Sequence, residues 1–225
     1  MMSRTGPLDE FLERQAGGVH RSHRRLANVV REAYPIGVPA MIMKSSTDRL
    51  GASAGYAFHL GTPDELLRRI ASWLITEAGE QQEVLLKLIG GLWRRHGRED
   101  VALAALLLAN IDHALLGIDP WSTLATSVGS REPAEALLLS IEELLRAGKP
   151  MPSEGVLASW CGGRLVEAHL ALITVYAGTI KGTTASDDVI MLLSGVRVPD
   201  GDSLLGRIKD KVVTCLLYTS AAADE

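Results

Sequence analysis

Gly51-Ala52-Ser53-Ala54-Gly55 has the spacing G-x-S-x-G, in which a serine on a tight turn becomes a nucleophile. That chemistry needs a strand feeding the turn, a helix after it and a base within reach of the hydroxyl. The preceding Lys44-Ser45-Ser46-Thr47-Asp48-Arg49-Leu50 does not read as a buried strand, and the nearest downstream histidine is His59. A small-residue loop accounts for the run more simply. A hydrolase using Ser53 is the most distant of three functional readings.

Two arginine clusters offer different chemistry. His20-Arg21-Ser22-His23-Arg24-Arg25 is the densest, and Arg94-Arg95-His96-Gly97-Arg98 is the second. Arginine grips phosphate with a rigid fork of donors, so Arg21, Arg24, Arg25, Arg94, Arg95 and Arg98 are candidate DNA contacts, with Trp73 or Trp93 nearby for packing. The competing expectation is that these arginines are solvated helix faces paired with acids such as Glu13 and Glu99.

Other titratable residues point to structure. His169 sits among Leu165, Val166, Leu170, Leu172 and Ile173, as a hydrogen-bonded core histidine would. Cys161 and His169 do not share a helix face, and no second Cys/His pair completes a zinc pattern, so no metal or cofactor is expected. Glu135, Glu142 and Glu143 read as the solvated face of a helix whose other face is apolar. Trp73, Trp93, Trp121 and Trp160 fall on apolar stripes or at helix starts and are expected in the core.

The elements that must position these groups are helical. Thr62-Pro63-Asp64-Glu65 reads as a capping box opening a helix that ends near Gly79. Val84, Leu85, Leu88, Ile89, Leu92 and Trp93 mark a second helix, closed at Gly97. A third, from Arg98 to Leu116, is apolar around most of its circumference and should be buried. Further helices are expected from Asp119, over 132–147, 153–160 and 164–180, from Ser186 and over 204–213. Leu8–Arg31 reads as helical with a break at Gly17-Gly18, and Tyr34–Gly61 carries little helix signal. No stretch alternates long enough to build a sheet, so the fold class is all-α, either stacked antiparallel pairs or a compact bundle.

The chain has 225 residues, 47% apolar and 22% charged, with a formal charge of −4. That composition excludes disordered, collagen-like and disulfide-scaffold classes. Charge is uneven: residues 1–98 hold 14 Lys and Arg against 10 Asp and Glu, and residues 99–214 hold 9 against 15. Apolar runs near Val101–Ile111 and Leu165–Ile180 are broken by polar residues and fall short of the roughly 20 residues a membrane span needs. Met1–Glu10 has no apolar core of a secretion signal.

The run Cys215-Leu216-Leu217-Tyr218-Thr219-Ser220 is one frame of a transposon end used in sequencing libraries. Ala221-Ala222-Ala223-Asp224-Glu225 follows the adapter with one residue changed. Residues 215–225 are therefore expected not to be native, and the authentic chain to be cut short near Thr214. Without Cys215, Cys161 stands alone, and a reducing cytoplasm is the expected compartment. The expected organisation is an N-terminal helical and loop segment over 1–61 and a helical-repeat domain over 62–214.

Two segments resemble the DNA alkylation repair family of HEAT-like helical repeats. In Gly61–Ala109, the stretch Gly61-Thr62-Pro63-Asp64-Glu65-Leu66-Leu67-Arg68-Arg69-Ile70-Ala71 is followed by Leu92-Trp93-Arg94-Arg95-His96-Gly97-Arg98-Glu99-Asp100. Trp160–Gly182 is similar to a family helix that follows a tryptophan and ends in Lys-Gly or Arg-Gly. Together they cover about a third of the chain. The resemblance implies a HEAT-like superhelix and affinity for duplex DNA. The family's Trp-Trp-Asp type motif is missing: Asp119 and Trp121 stand in the wrong order and spacing. Glycosylase activity is therefore not part of the implication. A scaffold that binds another protein is the alternative to DNA binding.

Overall fold

The computed structural model describes residues 6–50, 55–130 and 132–222, the side chains at 49, 50 and 215–222 excepted. It divides into two compact units, Met1–Pro120 and Trp121–Glu225. The boundary between them falls at Pro120–Trp121. Among the described residues the regular structure is helical, with no strand.

The first unit contains α1 (Pro7–Glu13), a single 3-10 turn (Val19–Arg21), α2 (His23–Ala33) and α3 (Ala40–Leu50). It continues with α4 (Asp64–Ala78), α5 (Glu83–Arg95), α6 (Arg98–Asn110) and α7 (His113–Leu116). α6 is its centre: every residue from Glu99 to Ala109 is buried, as an all-round apolar helix requires. α5 and α4 pack against it, and α2 packs on α5. The apolar stripe of α5 is the expected one, with Leu85, Leu88, Ile89, Leu92 and Trp93 buried. Each such side chain contributes about 1.5–3 kcal/mol on burial.

The second unit contains α8 (Pro120–Ser127), which opens at the boundary, then α9 (Ala134–Arg146) and α10 (Glu154–Cys161). α11 (Leu165–Ile180), α12 (Asp187–Ser194) and α13 (Ser203–Ala222) follow. α11 is the hub here, packed by α9, α10 and α13. His169 lies in that core with its Nε2 2.8 Å from the Arg197 carbonyl. Trp121 donates from Nε1 to the Pro150 carbonyl at 2.7 Å, which ties the proline-rich connector to α8. Helices distant in sequence are neighbours in both units, α2 with α5 and α11 with α13, so a compact bundle fits the packing at least as well as a HEAT-like stack.

Several local expectations change. The segment with little helix signal contains α3, which among its described side chains buries only the polar Ser46 and exposes Met41 and Ile42. The third helix stops at Asn110, because Asp112 caps a new one by accepting from the Leu115 N–H at 2.9 Å. Thr62 does not cap α4; its hydroxyl donates to the Tyr34 carbonyl at 2.9 Å and Pro63 takes the cap position. Glu143 is buried rather than solvated, paired with Arg146 at 2.5 Å.

Candidate functional site

The six candidate arginines all lie in the first unit. Arg21 closes the 3-10 turn, and Arg24 and Arg25 stand in the first turn of α2; all three are exposed. Arg94 is exposed at the end of α5, with its guanidinium folded back over Gly90 and Gly91, where added Cβ atoms would meet it at 3.5 and 4.0 Å. Arg98 is half-buried at the start of α6 and bonded within the protein.

Arg95 departs from the set because it points inward. Its Nε donates to Asp100 Oδ2 at 2.6 Å, its Nη2 to Asp100 Oδ1, and its Nη1 to the Ala27 carbonyl at 3.2 Å. One side chain thus stitches the end of α5 to α6 and to the middle of α2, one turn along from Arg24. The guanidinium also lies 5.8 Å from the Phe58 ring centroid, within cation–π range.

Asp100 has no exposed surface and also accepts from the Tyr34 hydroxyl at 2.9 Å. Burial, and then the neighbouring Asp100 carboxylate, push the Tyr34 phenol well above its ordinary 10.0. The hydrogen bond to Asp100 raises Arg95 above its usual range. A phenol whose folded pKa is raised contributes stability below its unfolded pKa and loses it as pH rises through the folded value. Stability should therefore fall above pH 10, and Tyr34→Phe should flatten that alkaline slope. Urea midpoints measured from neutral pH upward test this; an unchanged slope in the phenylalanine variant would refute it.

Glu99, the expected arginine partner, does something else. Its Oε1 accepts from the backbone N–H groups of Leu60, Gly61 and Thr62 at 2.9, 2.8 and 3.3 Å. Residues 56–62 thereby form a strap across the turn between α5 and α6. Two backbone bonds extend the grip: Ala57 N–H to the His96 carbonyl at 2.8 Å, and Arg98 N–H to the Phe58 carbonyl at 2.9 Å. His96 itself adopts a left-handed conformation, φ 58°, where it ends α5. Its ring lies 5.8 Å from Tyr56 and 6.5 Å from Trp93.

Glycine is required beneath the strap. A Cβ on Gly97 would stand 2.1 Å from the Phe58 ring. Gly97→Ala should cost about 1–3 kcal/mol by forcing that ring away. The same substitution in a Phe58→Ala background should cost far less, as a double-mutant cycle of unfolding free energies would reveal. Equal costs in the two backgrounds would dissociate the glycine from the ring.

The tryptophans offer little to a nucleobase. Trp93, Trp121 and Trp160 are buried, and Trp73 is half-buried. Trp73 instead borders a groove of about 350 Å³ with Leu12, Glu13 and Arg69, between α1 and α4. A second groove of about 380 Å³ runs on the other side of α4, bordered by Arg68, Ile75, Leu106 and Asn110. Ser72 and Thr76, exposed and one turn apart, touch both.

Ser53 lies outside the described residues, and the segment before it is the helix α3, where a nucleophile elbow needs a strand. Among the described residues no group of three or more His, Cys, Asp or Glu side chains is placed to hold a metal ion. None of the described helices is long and apolar enough to cross a membrane. No family model, curated protein or solved structure matches the chain.

Proposed function

We propose that the protein is a helical scaffold that binds another protein, with α4 and its two flanking grooves as the contact. The observation that carries this is the Ser72–Thr76 ridge between those grooves. Helices pack by setting the side-chain ridges of one into the grooves of the other, and a ridge of small residues lets the backbones approach closely. A partner helix laid along α4 meets Ile75 and Leu106 on one side, Leu12 and Trp73 on the other. Trp73 supplies the half-buried aromatic anchor that dominates many interfaces. Asp9, Glu13, Arg68 and Arg69 put both signs of charge at the rim, where they select partners more than they add affinity.

The test replaces both exposed ridge residues, Ser72→Arg with Thr76→Arg, and compares proteins captured from extract by the variant and the unmodified chain. A specific protein lost from the variant, while its melting curve is unchanged, is the expected result. Identical captured sets would overturn this contact surface.

A separate observation favours duplex DNA as a ligand. His20, Arg21, His23, Arg24 and Arg25 crowd the start of α2, the positive end of its dipole, where acidic residues would be stabilising. In this second reading Arg21, Arg24, Arg25 and Arg94 contact phosphates, while Arg95 and Arg98, bonded within the protein, set the position of the turn after α5. Fluorescence anisotropy on duplex DNA across a salt series tests it. Log affinity should fall steeply with log salt, and each lost phosphate contact should reduce the slope by about 1. Absence of binding at low salt would remove DNA and leave the protein partner. Base excision belongs to neither reading.

A further inference from the structure

The groove between α4 and α6 has one charged end. Ile75 and Thr76 of α4 border it with Leu106 and Asn110 of α6, so it runs out where both helices stop, α4 at Ala78 and α6 at Asn110. A hydrogen bond ties the two ends together. The Asp112 N–H, just past α6, donates to Gln82 Oε1 in the turn after α4 at 2.6 Å. A helix C-terminus carries about half a negative charge, and a lysine or arginine in the last turn complements it. Neither α4 nor α6 has a basic residue there.

The side chains around that end add to the charge. Glu77 stands in the last turn of α4, Glu80 in the turn that follows and Asp112 just past α6, and all three are exposed. Glu83 answers the opposite dipole at the start of α5, and Lys87 follows it by one turn. His113 Nε2 meets the Leu108 carbonyl at 2.7 Å, one turn inside the end of α6. The arginines of the face stand nearer the start of α4 and are held by carboxylates of their own. Arg68 donates through Nε to Asp64 at 2.7 Å, and Arg69 through Nη2 to Asp9 at 2.7 Å. An apolar-walled groove thus ends in three exposed carboxylates and two helix C-termini. Its complement is a helix with one apolar face and positive charge beside it.

We propose that the partner of the α4 surface is a cationic amphipathic helix. This rests on the α4 contact proposed above and names the chemistry of what binds there. The apolar face of the partner lies over Ser72 and Thr76, against Ile75. Its lysine or arginine side chains reach Glu77, Glu80 and Asp112, where the carbonyl ends of α4 and α6 add to the attraction. An acidic helix of the same shape meets like charge at that end and is rejected.

Three helical peptides of about 18 residues, long enough to lie along α4, test the proposal on the full chain. They share one leucine stripe on an alanine background and carry lysine, glutamine or glutamate beside it. Anisotropy of the labelled peptides at low salt gives the affinities, and circular dichroism their helix content. The lysine peptide should bind most tightly, the glutamine peptide more weakly, and the glutamate peptide not measurably. Glu77→Lys with Glu80→Lys should weaken the lysine peptide at least about tenfold, as two exposed charge pairs turn from attraction to repulsion. The same variant should strengthen the glutamate peptide. Ser72→Gln with Thr76→Gln, a neutral and bulkier ridge, should weaken the lysine peptide by obstructing the contact. Thermal melts of the variants separate these effects from unfolding. The proposal is overturned if the glutamine or glutamate peptide binds as tightly as the lysine peptide, if charge reversal leaves the order unchanged, or if no peptide binds. Where the ridge variant still weakens binding, such a result removes the partner's charge and leaves the α4 contact standing. A lysine peptide whose affinity the ridge variant leaves intact overturns the contact together with the proposal.

Discussion

Asp100→Ala should lower the unfolding free energy by about 3–5 kcal/mol, the range for breaking a buried ion pair from one side. The carboxylate has no exposed surface and takes bonds from Arg95 and Tyr34. Its removal strands a half-buried guanidinium and a buried phenol together. Replacing the three members jointly with apolar residues, Tyr34→Phe, Arg95→Met and Asp100→Leu, should recover part of that loss, because the guanidinium and phenol are no longer stranded and only the Gly97 N–H, 3.4 Å from Asp100 Oδ2, loses its partner. Urea unfolding followed by circular dichroism measures both variants. A loss below about 1 kcal/mol for Asp100→Ala would show that water already compensates the network. The same network governs the design of any DNA-binding experiment. Arg95→Ala would loosen the α2–α5 contact whatever the ligand, so Arg24, Arg25 and Arg94 are the informative substitutions for such an experiment.

The second large effect belongs to Glu99. One carboxyl oxygen satisfies three backbone donors, and Thr62, the last of them, is buried. Glu99→Ala should cost about 3 kcal/mol or more, since each buried donor left unsatisfied costs about 1–3 kcal/mol. Glu99→Gln keeps an acceptor at the position of Oε1 and should cost less than half as much. The other oxygen, Oε2, is buried without a hydrogen-bond partner, so the amide nitrogen that replaces it loses nothing there. Comparable losses for the two variants would mean that the acceptor oxygen is not what holds the strap.

The helices around the two hubs were legible in the sequence because burial writes itself as periodicity. Leu85, Leu88, Ile89, Leu92 and Trp93 make one face of α5, and the apolar circumference of α6 announces a helix enclosed on all sides. α3 left no such mark, since among its described side chains the buried one is a serine and two apolar ones face outward. Asp112 went unnoticed as a cap because the apolar pattern continues past it through Ala114, Leu115 and Leu116. The Arg95–Asp100 pair spans five residues across a break between helices, outside the three- and four-residue spacings of a single helix face. Glu99 meets partners 37 to 39 residues away, a distance at which a linear pattern carries no information. Arginines whose spacing suggested an open cationic surface thus divide into four exposed ones and two half-buried ones, Arg95 and Arg98.

The strap has a consequence for hydrogen exchange. Residues 60–62 belong to no helix, yet their amide hydrogens are held by a side chain rooted in the first turn of the most enclosed helix of the unit. Amide exchange protection follows the free energy of the opening that frees the donor, not the secondary structure around it. The amides of Leu60, Gly61 and Thr62 should therefore exchange on the timescale of α6 itself, as a slow island inside a loop. In Glu99→Gln they should remain slow, and in Glu99→Ala they should exchange like the exposed backbone beside them.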